Sequence, residues 1–313
     1  MTADLRALVD GLGRKVVGRV REVELIVAAV AADRHILLEG PPGTGKSTLL
    51  RAAADQLGVG FEFVEGNAEL TPARLVGHFD PARVLEDGYD PDVFVAGPLV
   101  RALEQGSLLY VEELNRVPEE TLNVLITVMS ERELHVPRFG RIAATDGFRL
   151  VAAMNPFDAV GTARISGAVY DRVCRVAVDY QTAADESDIV ARRAAVGAEL
   201  DAAWVDRVVE LVRATRQHPD IRIGSSVRGA IDMVSVAAPL AAVRGARATD
   251  PDVSLDAALV ALSGRIRVRE GCGRTADDIV RQLWATTFGS DGGDGDGGNE
   301  GKGGAPTGAM TSA

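Results

Sequence analysis

Gly40-Pro-Pro-Gly-Thr-Gly-Lys-Ser47 is the stretch that decides the fold of this chain. It fits the pattern G-x-x-x-x-G-K-[ST] at every position, follows a predicted strand at Ile36–Glu39 and opens a predicted helix over residues 46–57. Gly43 and Gly45 let the backbone turn so that successive N–H groups point at phosphate oxygens. Because a helix N-terminus adds partial positive charge, the stretch predicts a phosphate-binding loop between a strand and a helix.

The polar side chains of this loop predict that it binds ATP together with magnesium. Lys46 is expected to reach the β- and γ-phosphates, and Ser47 to offer its hydroxyl to Mg²⁺. The alternative is a glycine-rich turn with a chance lysine, which the strand before the loop and the helix after it argue against. The candidate nucleotide-binding residues of the loop are Gly40, Pro42, Gly43, Thr44, Gly45, Lys46, Ser47 and Thr48.

A second group of candidates follows the apolar run in Ser107-Leu-Leu-Tyr-Val-Glu-Glu-Leu-Asn-Arg116. Open parallel sheets place ligands at the carboxyl ends of their strands. Glu112 is therefore a candidate magnesium ligand, through water, and Glu113 a candidate base that polarises the attacking water. A solvated strand end is the alternative reading of both. Asn155, at the tip of a further strand, is a candidate for positioning the water, although an Asn before Pro is also a common turn starter.

Short apolar runs alternate with helical stretches over the first part of the chain. Strands that are apolar on both faces and separated by helices are typical of a buried parallel sheet, so the fold class is α/β. The predicted strands are Ile36–Glu39, Phe61–Val64, Leu108–Val111, Phe148–Ala153 and Arg175–Val178. The predicted helices around them cover residues 21–32, 46–57, 98–105 and 118–131.

The pattern changes after about residue 183. No strand is predicted there, and helical segments are predicted near residues 185–196, 200–217, 226–242, 253–268 and 275–287. From Gly289 to Ala313 Gly, Asp and Ser dominate without apolar periodicity, which predicts a flexible tail. The predicted parts are an α/β nucleotide-binding domain at 1–182, a small all-α domain at 183–288 and a disordered tail at 289–313.

Composition narrows the classes of function. The formal charge is −11, from 45 acidic and 34 basic side chains, which argues against a broad grip on nucleic-acid phosphates. Cys174 and Cys272 stand in no metal-like spacing and suit a reduced compartment. No apolar run reaches the ~18 residues of a membrane helix, and the start Met1-Thr-Ala-Asp-Leu-Arg lacks the features of a secretory signal. A soluble cytoplasmic protein is the expectation.

Over residues 15–285 these motifs resemble the AAA+ ATPases, and within them the MoxR family. His35–Ser47 is similar to the family's Walker A strand and loop. Gly97–Gly106 resembles the segment before the family's Walker B strand, and Glu112-Glu-Leu-Asn-Arg116 resembles its Asp-Glu-Ile-Asn-Arg. The resemblance implies a five-stranded parallel sheet with a helical lid, bound ATP and Mg²⁺, and usually a hexameric ring.

The same resemblance implies roles for residues outside the loop. Val17-Gly18-Arg19, with the helix after it, looks like the family's opening segment, which packs near the adenine. Asn155 falls on the sensor 1 position. Gly224-Ser-Ser-Val-Arg228 falls on sensor 2, so that Arg228 is expected to reach the γ-phosphate from the lid.

A ring that binds ATP between neighbours also implies an arginine that acts on the next subunit's nucleotide. Arg172, in Ala168-Val-Tyr-Asp-Arg172, matches the family's Asp-Arg step and is the first candidate. Arg116, Arg164 and Arg175 are the alternatives, and a surface salt bridge is the other reading of each.

Two departures from the family pattern bear on catalysis. Glu112 stands where the family has Asp and is one methylene longer, which leaves the metal geometry and the hydrolysis rate open. Ile165-Ser-Gly-Ala168 replaces the family's Leu-Pro-Glu-Ala, and Val173 replaces an expected Phe. These changes weaken the prediction that Arg172 acts on the neighbour's nucleotide more than they weaken the prediction that the chain binds ATP.

Two segments correspond to insertions of this AAA+ clade, which often face the ring pore or a partner. Residues 133–143 read as a hairpin, and residues 77–96, rich in aromatic side chains, occupy the place of the second-helix insertion. His78 and His135 lie in these segments with no acidic or Cys partner at ligand spacing, so they are expected to be loop histidines.

The resemblance implies a chaperone-like ATPase that remodels a protein client or helps to insert a cofactor. Relatives commonly act with a partner that carries a von Willebrand factor A domain with a metal-ion-dependent adhesion site. One alternative is a switch in which Glu112 makes hydrolysis slow and ATP occupancy regulates a partner. Another is a DNA-remodelling AAA+ protein, against which the acidic charge argues.

Overall fold

The computed structural model describes residues 5–156, 165–194 and 201–289. The helices in chain order are α1 (Leu5–Lys15), α2 (Val20–Ala31), α3 (Lys46–Leu57), α4 (Pro72–Val76), α5 (Pro81–Asp87), α6 (Pro98–Gln105), α7 (Glu119–Glu131), α8 (Gly167–Tyr170), α9 (Ala183–Arg193), α10 (Ala202–Gln217), α11 (Val227–Arg244), α12 (Pro251–Leu262) and α13 (Ala276–Phe288). Short 3-10 helices cover Pro91–Val93 and Leu114–Arg116.

The strands in chain order are β1 (His35–Glu39), β2 (Phe61–Glu65), β3 (Gly77–Phe79), β4 (Phe94–Ala96), β5 (Leu108–Glu112), β6 (Glu133–Val136), β7 (Gly140–Ala143), β8 (Arg149–Met154), β9 (Val173–Ala177), β10 (Ile221–Ile223) and β11 (Arg267–Val268). The central sheet has five strands in the order β2-β5-β8-β1-β9, and every pair is parallel. The α/β class and the five-stranded parallel sheet are confirmed.

Both faces of the sheet are covered by helices, as its apolar strands require. Alternate residues point to opposite faces, so Leu37 packs with α6 and α7 on one side, while Ile36 and Leu38 pack with α2 and α3 on the other. The chain leaves the carboxyl end of β1 directly into the phosphate loop, and β5 and β8 end beside it. The sheet therefore brings the loop, the acidic residues and Asn155 to one edge.

The N-terminal helix α1 is not predicted from the sequence. Its glycines, Gly11 and Gly13, lower its helix propensity. The helix forms because its apolar side packs on the core, where Leu12 is completely buried beside residues of α2 and α3. Its end at Lys15 matters for the site, since the next residues border the nucleotide pocket.

The helices α9 to α13 share a separate apolar core, centred on buried residues such as Val208, Met233 and Ala257. The prediction that this part contains no strand is wrong, because β10 and β11 pair as a short antiparallel ribbon with Ile221 opposite Val268. The helix predicted over 253–268 ends at Leu262. A strand of two or three residues has too little alternation to be separated from a helical pattern.

β9 ends at Ala177 and α9 begins at Ala183, so the domain limit predicted at 182/183 falls in the connection between them. The limits of the domains stay predictions. Apart from Gly289, the predicted tail at 289–313 lies outside the described residues. Within residues 5–156, 165–194 and 201–289, no helix has both the length and the apolar character needed to cross a membrane.

The two insertions contact each other through aromatic side chains. Residues 133–143 form the expected hairpin of β6 and β7, and β3 pairs with β4 around α5 in the other insertion. The rings of Phe94 and Phe139 lie 4.6 Å apart, and the Arg138 guanidinium lies 3.7 Å from the centre of the Tyr89 ring. The hairpin tip and the α5 segment are therefore packed as one unit, called the insertion module below.

Candidate nucleotide-binding site

The phosphate loop is held by contacts that only glycine permits at two positions. A Cβ atom on Gly40 would lie 1.8 Å from the carbonyl oxygen of Val178, so the loop passes directly over the end of β9. Gly43 has a φ of +75°, and a Cβ there would lie 2.2 Å from Oγ of Ser226, which caps the lid helix α11. The loop is thus fitted closely both to the sheet and to the lid.

Lys46 is buried at the start of α3 and is the cation nearest to the loop carbonyls. Its Nζ donates hydrogen bonds to the carbonyl oxygens of Gly40 and Pro41, each at 2.8 Å. Burial lowers the pKa of Lys46 from its usual value, and the carboxylates of Glu113 and Glu112 oppose that shift. Neutral carbonyls are weak partners for an ammonium group, so a phosphate oxygen is the stronger acceptor for Lys46.

The predicted metal ligands already meet. Ser47 Oγ donates to Glu112 Oε1 at 2.6 Å, and the Tyr110 hydroxyl lies 3.1 Å from the same Oγ. A serine hydroxyl and a carboxylate are oxygen donors of the kind that Mg²⁺ prefers, so these residues fit the ion. The extra methylene of Glu112 does not carry its carboxylate away from the loop.

Glu113 follows β5 in a left-handed conformation, with φ 52° and ψ 45°. Such a conformation is costly for a residue with a side chain and concentrates at functional sites. Its Oε2 is shielded from solvent and makes no hydrogen bond among the described residues, although Arg116 Nε forms an ion pair with it at 3.4 Å. The carboxylate is therefore held toward the pocket with capacity to accept a proton.

Asn155 lies at the end of β8 and lines the same pocket. Its backbone carbonyl accepts a hydrogen bond from Nδ2 of Asn115 at 3.3 Å. Asn115 is buried within the Glu112–Arg116 motif, and no role was predicted for it. Its signal was a polar residue two positions after the acidic pair, and its contact ties the ends of β5 and β8 together.

The loop, the acidic strand end and the lid enclose a small pocket of about 100 Å³. Arg228, the second residue of α11, reaches it from the lid. Predicted site residues from the phosphate loop, the ends of β5 and β8 and the lid thus meet at one pocket. The residues lining it are Pro42, Gly43, Thr44, Gly45, Lys46, Ser47, Thr48, Glu112, Glu113, Ala153, Met154, Asn155 and Arg228.

A larger pocket of about 480 Å³ adjoins it between the core and the lid. Its size suits a nucleoside, and its lining mixes apolar side chains such as Ile189 and Ile231 with cations such as Arg192. Val17, which was predicted to pack near the adenine, lines this pocket. Gly18 does not; it packs against Asp185, where a Cβ would lie 2.5 Å from that carboxyl group. The sequence missed the other lining residues outside the loop, which are Lys15, Val16, Gln181, Ile189, Arg192, Arg193, Val227 and Ile231.

Arg19 is a further residue whose role the sequence missed. It is buried, and it donates to the carbonyl oxygens of Thr44 at 2.9 Å and Asp179 at 2.6 Å while pairing with Glu22 at 2.8 Å. It therefore ties the phosphate loop to the segment after β9. The only signal for it in the sequence was its position as the last residue of the opening segment Val17-Gly-Arg19.

Arg172 lies at the opposite edge of the sheet from its own phosphate loop, just before β9. It donates to Ser130 Oγ at 2.5 Å and to the Ala168 carbonyl oxygen at 2.8 Å. It borders a pocket of about 410 Å³ that includes His35 and Arg132. Arg172 is thus not placed to act on the ATP of its own subunit.

The other arginine candidates are engaged differently. Arg175 pairs with the buried carboxylate of Glu39, which also accepts a hydrogen bond from the Tyr170 hydroxyl at 2.6 Å. Arg116 pairs with Glu113 of its own chain. Arg164 lies outside the described residues.

The loop histidines show no sign of metal binding. Nowhere in the described part of the chain do three or more His, Cys, Asp or Glu side chains come together as a metal site. His78 is exposed on β3 and His135 on β6.

Two family models match the chain. A dynein-related AAA domain matches residues 35–173, and an AAA lid domain matches residues 213–283. Protein MoxR of Methylorubrum extorquens is 34% identical over 161 residues, which cover 51% of this chain and 45% of MoxR. The uncharacterized protein YeaC of Bacillus subtilis is 27% identical over 254 residues, which cover 73% of this chain and 76% of YeaC.

Solved structures share the fold. A protein of Cytophaga hutchinsonii described as an ATPase superposes with a TM-score of 0.51 at 20% identity, covering 89% of this chain and 92% of that one. The RuvB Holliday junction branch migration motor of Thermotoga maritima gives 0.53 at 18% identity, covering 80% and 72%. At such identities the likeness shows the fold alone.

The fold and the site together define a P-loop ATPase with a helical lid. The chain carries the AAA domain and the AAA lid of the AAA+ ATPases, and among them it is similar to MoxR.

Proposed function

We propose that the chain hydrolyses ATP with Mg²⁺ and uses the cycle to remodel or mature a protein client. The observation that carries this proposal is the meeting of Lys46, Ser47, Glu113 and Arg228 around one small pocket. These side chains come from the loop, the end of β5 and the lid. A cation, metal-binding oxygens and a carboxylate in one enclosed site are what phosphoryl transfer to water needs.

The proposed nucleotide contacts follow from the loop. Its N–H groups and Lys46 bind the β- and γ-phosphates, and the pocket lined by Val17 receives the base and ribose. Ser47 and Glu112 hold the metal, the latter through water. A bound Mg²⁺ would offset the negative charge on the β- and γ-phosphate oxygens.

Glu113 is the proposed general base. Its carboxylate accepts a proton from water while the water oxygen bonds to the γ-phosphorus, and the bond to ADP breaks with its electron pair on the leaving oxygen. Asn155 orients the water, and Arg228 stabilises the charge on the transferred group. The place of Glu113 in the lining of the small pocket and the Asn115 contact to Asn155 support these roles.

The proposed assembly is a homo-hexameric ring in which Arg172 acts on the neighbour's ATP. Its position at the opposite edge of the sheet from its own loop supports a role across an interface. The proposed client surface is the insertion module. There Leu85 is 89% exposed, and Tyr89 and Val95 are each 50% exposed, which is unusual for side chains of this size. The proposed partner with a von Willebrand factor A domain rests on the family resemblance.

Binding of Mg–ATP by Lys46→Ala tests the site. We expect binding to be lost, whereas Arg244→Ala, which removes a cation paired with Asp256 at the far end of α11, should retain it. Unchanged Mg–ATP binding and hydrolysis in Lys46→Ala would refute the assignment of the nucleotide site to this loop. Affinity purification with an ATP-bound Glu113→Gln protein then tests the client, and recovery of an adhesion-domain protein only from that variant would support the proposed partner.

A second function is favoured by one observation. The direct Ser47–Glu112 hydrogen bond engages the Glu112 carboxylate that would otherwise contact the metal's water, so hydrolysis slow enough for a regulatory switch would follow if the bond persists with ATP. Steady-state turnover with and without the partner distinguishes the two, since a switch would turn over far more slowly than about 1 per second in both cases.

A further inference from the structure

The strand that carries the acidic pair also delivers a tyrosine hydroxyl to the metal end of the site. Tyr110 and Glu112 are two residues apart on β5, so both point to the face that α3 covers. The Tyr110 residue is 0% exposed, and its hydroxyl lies 3.1 Å from Ser47 Oγ at the first turn of α3. A buried hydroxyl needs a partner, and here the partner is a proposed magnesium ligand.

The direction of these hydrogen bonds follows from the number of protons. Ser47 has one hydroxyl proton and donates it to Glu112 Oε1 at 2.6 Å, since the carboxylate is the stronger acceptor. The Tyr110 hydroxyl is therefore a donor, with Ser47 Oγ at 3.1 Å and the neighbouring Glu112 carboxylate as its acceptors. A serine oxygen has two lone pairs, so one remains available on Ser47 Oγ.

The tyrosine ring cannot easily move away. It lies 5.7 Å from the rings of both Phe61 and Phe63 on the neighbouring strand β2. The guanidinium of Arg51, one turn along α3 from Ser47, lies 5.3 Å from the centre of each of these two phenylalanine rings. Packing that does not involve nucleotide thus fixes the place of the hydroxyl.

We propose that Tyr110 is a positioning residue for the magnesium site: its hydroxyl orients the Ser47 hydroxyl and, through it, the Glu112 carboxylate. This inference rests on the proposed function, since it concerns the same site. A glutamate has one more rotatable bond than an aspartate, so its carboxylate has more conformational freedom to lose. The chain Tyr110–Ser47–Glu112 restricts that freedom before nucleotide arrives.

Tyr110→Phe removes one oxygen atom and keeps the ring. The test is a titration of full-length protein with a fluorescent ATP analogue, first with EDTA and then with increasing Mg²⁺. We expect the metal-free affinity to stay within about twofold and the midpoint of the Mg²⁺ titration to rise about three- to tenfold, the range of one lost hydrogen bond. Tyr170→Phe, which removes a hydroxyl bonded to the Glu39 carboxylate at 2.6 Å, is the matched control and should leave the midpoint unchanged.

A double-mutant cycle separates positioning from a general effect on folding. In a Ser47→Ala background the Tyr110→Phe change should shift the Mg²⁺ midpoint by a clearly smaller factor, because the Ser47 acceptor has been removed. Thermal melting of each variant reports folding, and Tyr110→Leu, a second variant without the hydroxyl, should show the same shift.

Two results would overturn the inference. One is an unchanged Mg²⁺ midpoint in Tyr110→Phe, and the other is an equal loss of affinity with and without Mg²⁺. Lys46→Ala distinguishes a failure of this inference from a failure of the proposed function. If Lys46→Ala still binds nucleotide, the assignment of the nucleotide site is wrong, whatever the Tyr110 variants show.

Discussion

His35 makes the stability of the protein depend on pH in a range where most carboxylates are already ionised. It begins β1, is 8% exposed, and its Nδ1 accepts a hydrogen bond from the Leu150 N–H at 2.9 Å. Burial, together with the positive charges of Arg132 and Arg34, lowers the pKa of His35 from 6.5 to about 4. Protonation at Nδ1 would also remove the acceptor on which β8 depends.

The direction of the pH effect on stability follows from the protonation of His35 in the folded and the unfolded chain. The unfolded chain takes up a proton on His35 near pH 6.5, whereas the folded chain does so only near pH 4, so lowering the pH favours unfolding between these values. The full stability is present above pH 6.5 and is lost as the pH falls through the folded pKa. The loss amounts to about 2 kcal/mol at pH 5 and levels off at about 3 kcal/mol below pH 4.

Urea denaturation at pH 7.5, 6 and 5 measures this effect. His35→Asn is the matched variant, because its side-chain oxygen still accepts a hydrogen bond but does not titrate. The carboxylates titrate in the same way in both proteins. The free energy of unfolding should therefore fall by about 2 kcal/mol more in the wild type than in the variant between pH 7.5 and 5. Equal losses in the two proteins would refute the assignment of a depressed pKa to His35.

Three further changes test the site. Gly43→Ala places a methyl group against the lid at a φ of +75°, so Mg–ATP affinity should fall by about tenfold or more in an equilibrium titration, and unchanged affinity would contradict the fit of the loop to the lid. Asn115→Ala removes the Nδ2 hydrogen bond to the Asn155 carbonyl, so kcat should fall about tenfold in a steady-state assay while the ATP dissociation constant is unchanged; a fall in affinity alone would argue against a positioning role. Arg172→Ala should lower hydrolysis by about 10³-fold, and mixing it with Lys46→Ala subunits should restore part of the turnover, whereas no restoration would argue against action on a neighbour.

The parts of the site that the sequence predicts are those encoded by local patterns. The loop Gly40–Ser47 is recognisable because phosphate binding by backbone N–H groups demands glycines at fixed spacing. The acidic pair at Glu112 and Glu113 is recognisable because an apolar strand runs directly into it. The five strands are predicted for the same reason, since burial on both faces leaves short uninterrupted apolar runs.

The parts that the sequence does not predict depend on distant contacts. Gln181 and Ile231 line the larger pocket only because the lid folds back on the core. Arg19 is a helix-flanking arginine until its contacts with the Thr44 and Asp179 carbonyls are known. Tyr110 is one more apolar residue of a strand until α3 brings Ser47 to its hydroxyl. No local pattern records such proximity, so these roles require the three-dimensional structure.

Single-turnover hydrolysis of bound Mg–ATP, measured in the wild type, Glu113→Gln and Glu112→Gln, tests the central claim that this site hydrolyses ATP with Glu113 as the base. We predict that Glu113→Gln binds ATP with an affinity within about threefold of the wild type and hydrolyses it at least about 100-fold more slowly. Glu112→Gln should instead weaken the dependence on Mg²⁺. Hydrolysis at the wild-type rate in Glu113→Gln, with Glu112→Gln inactive, would contradict the account and reverse the two roles.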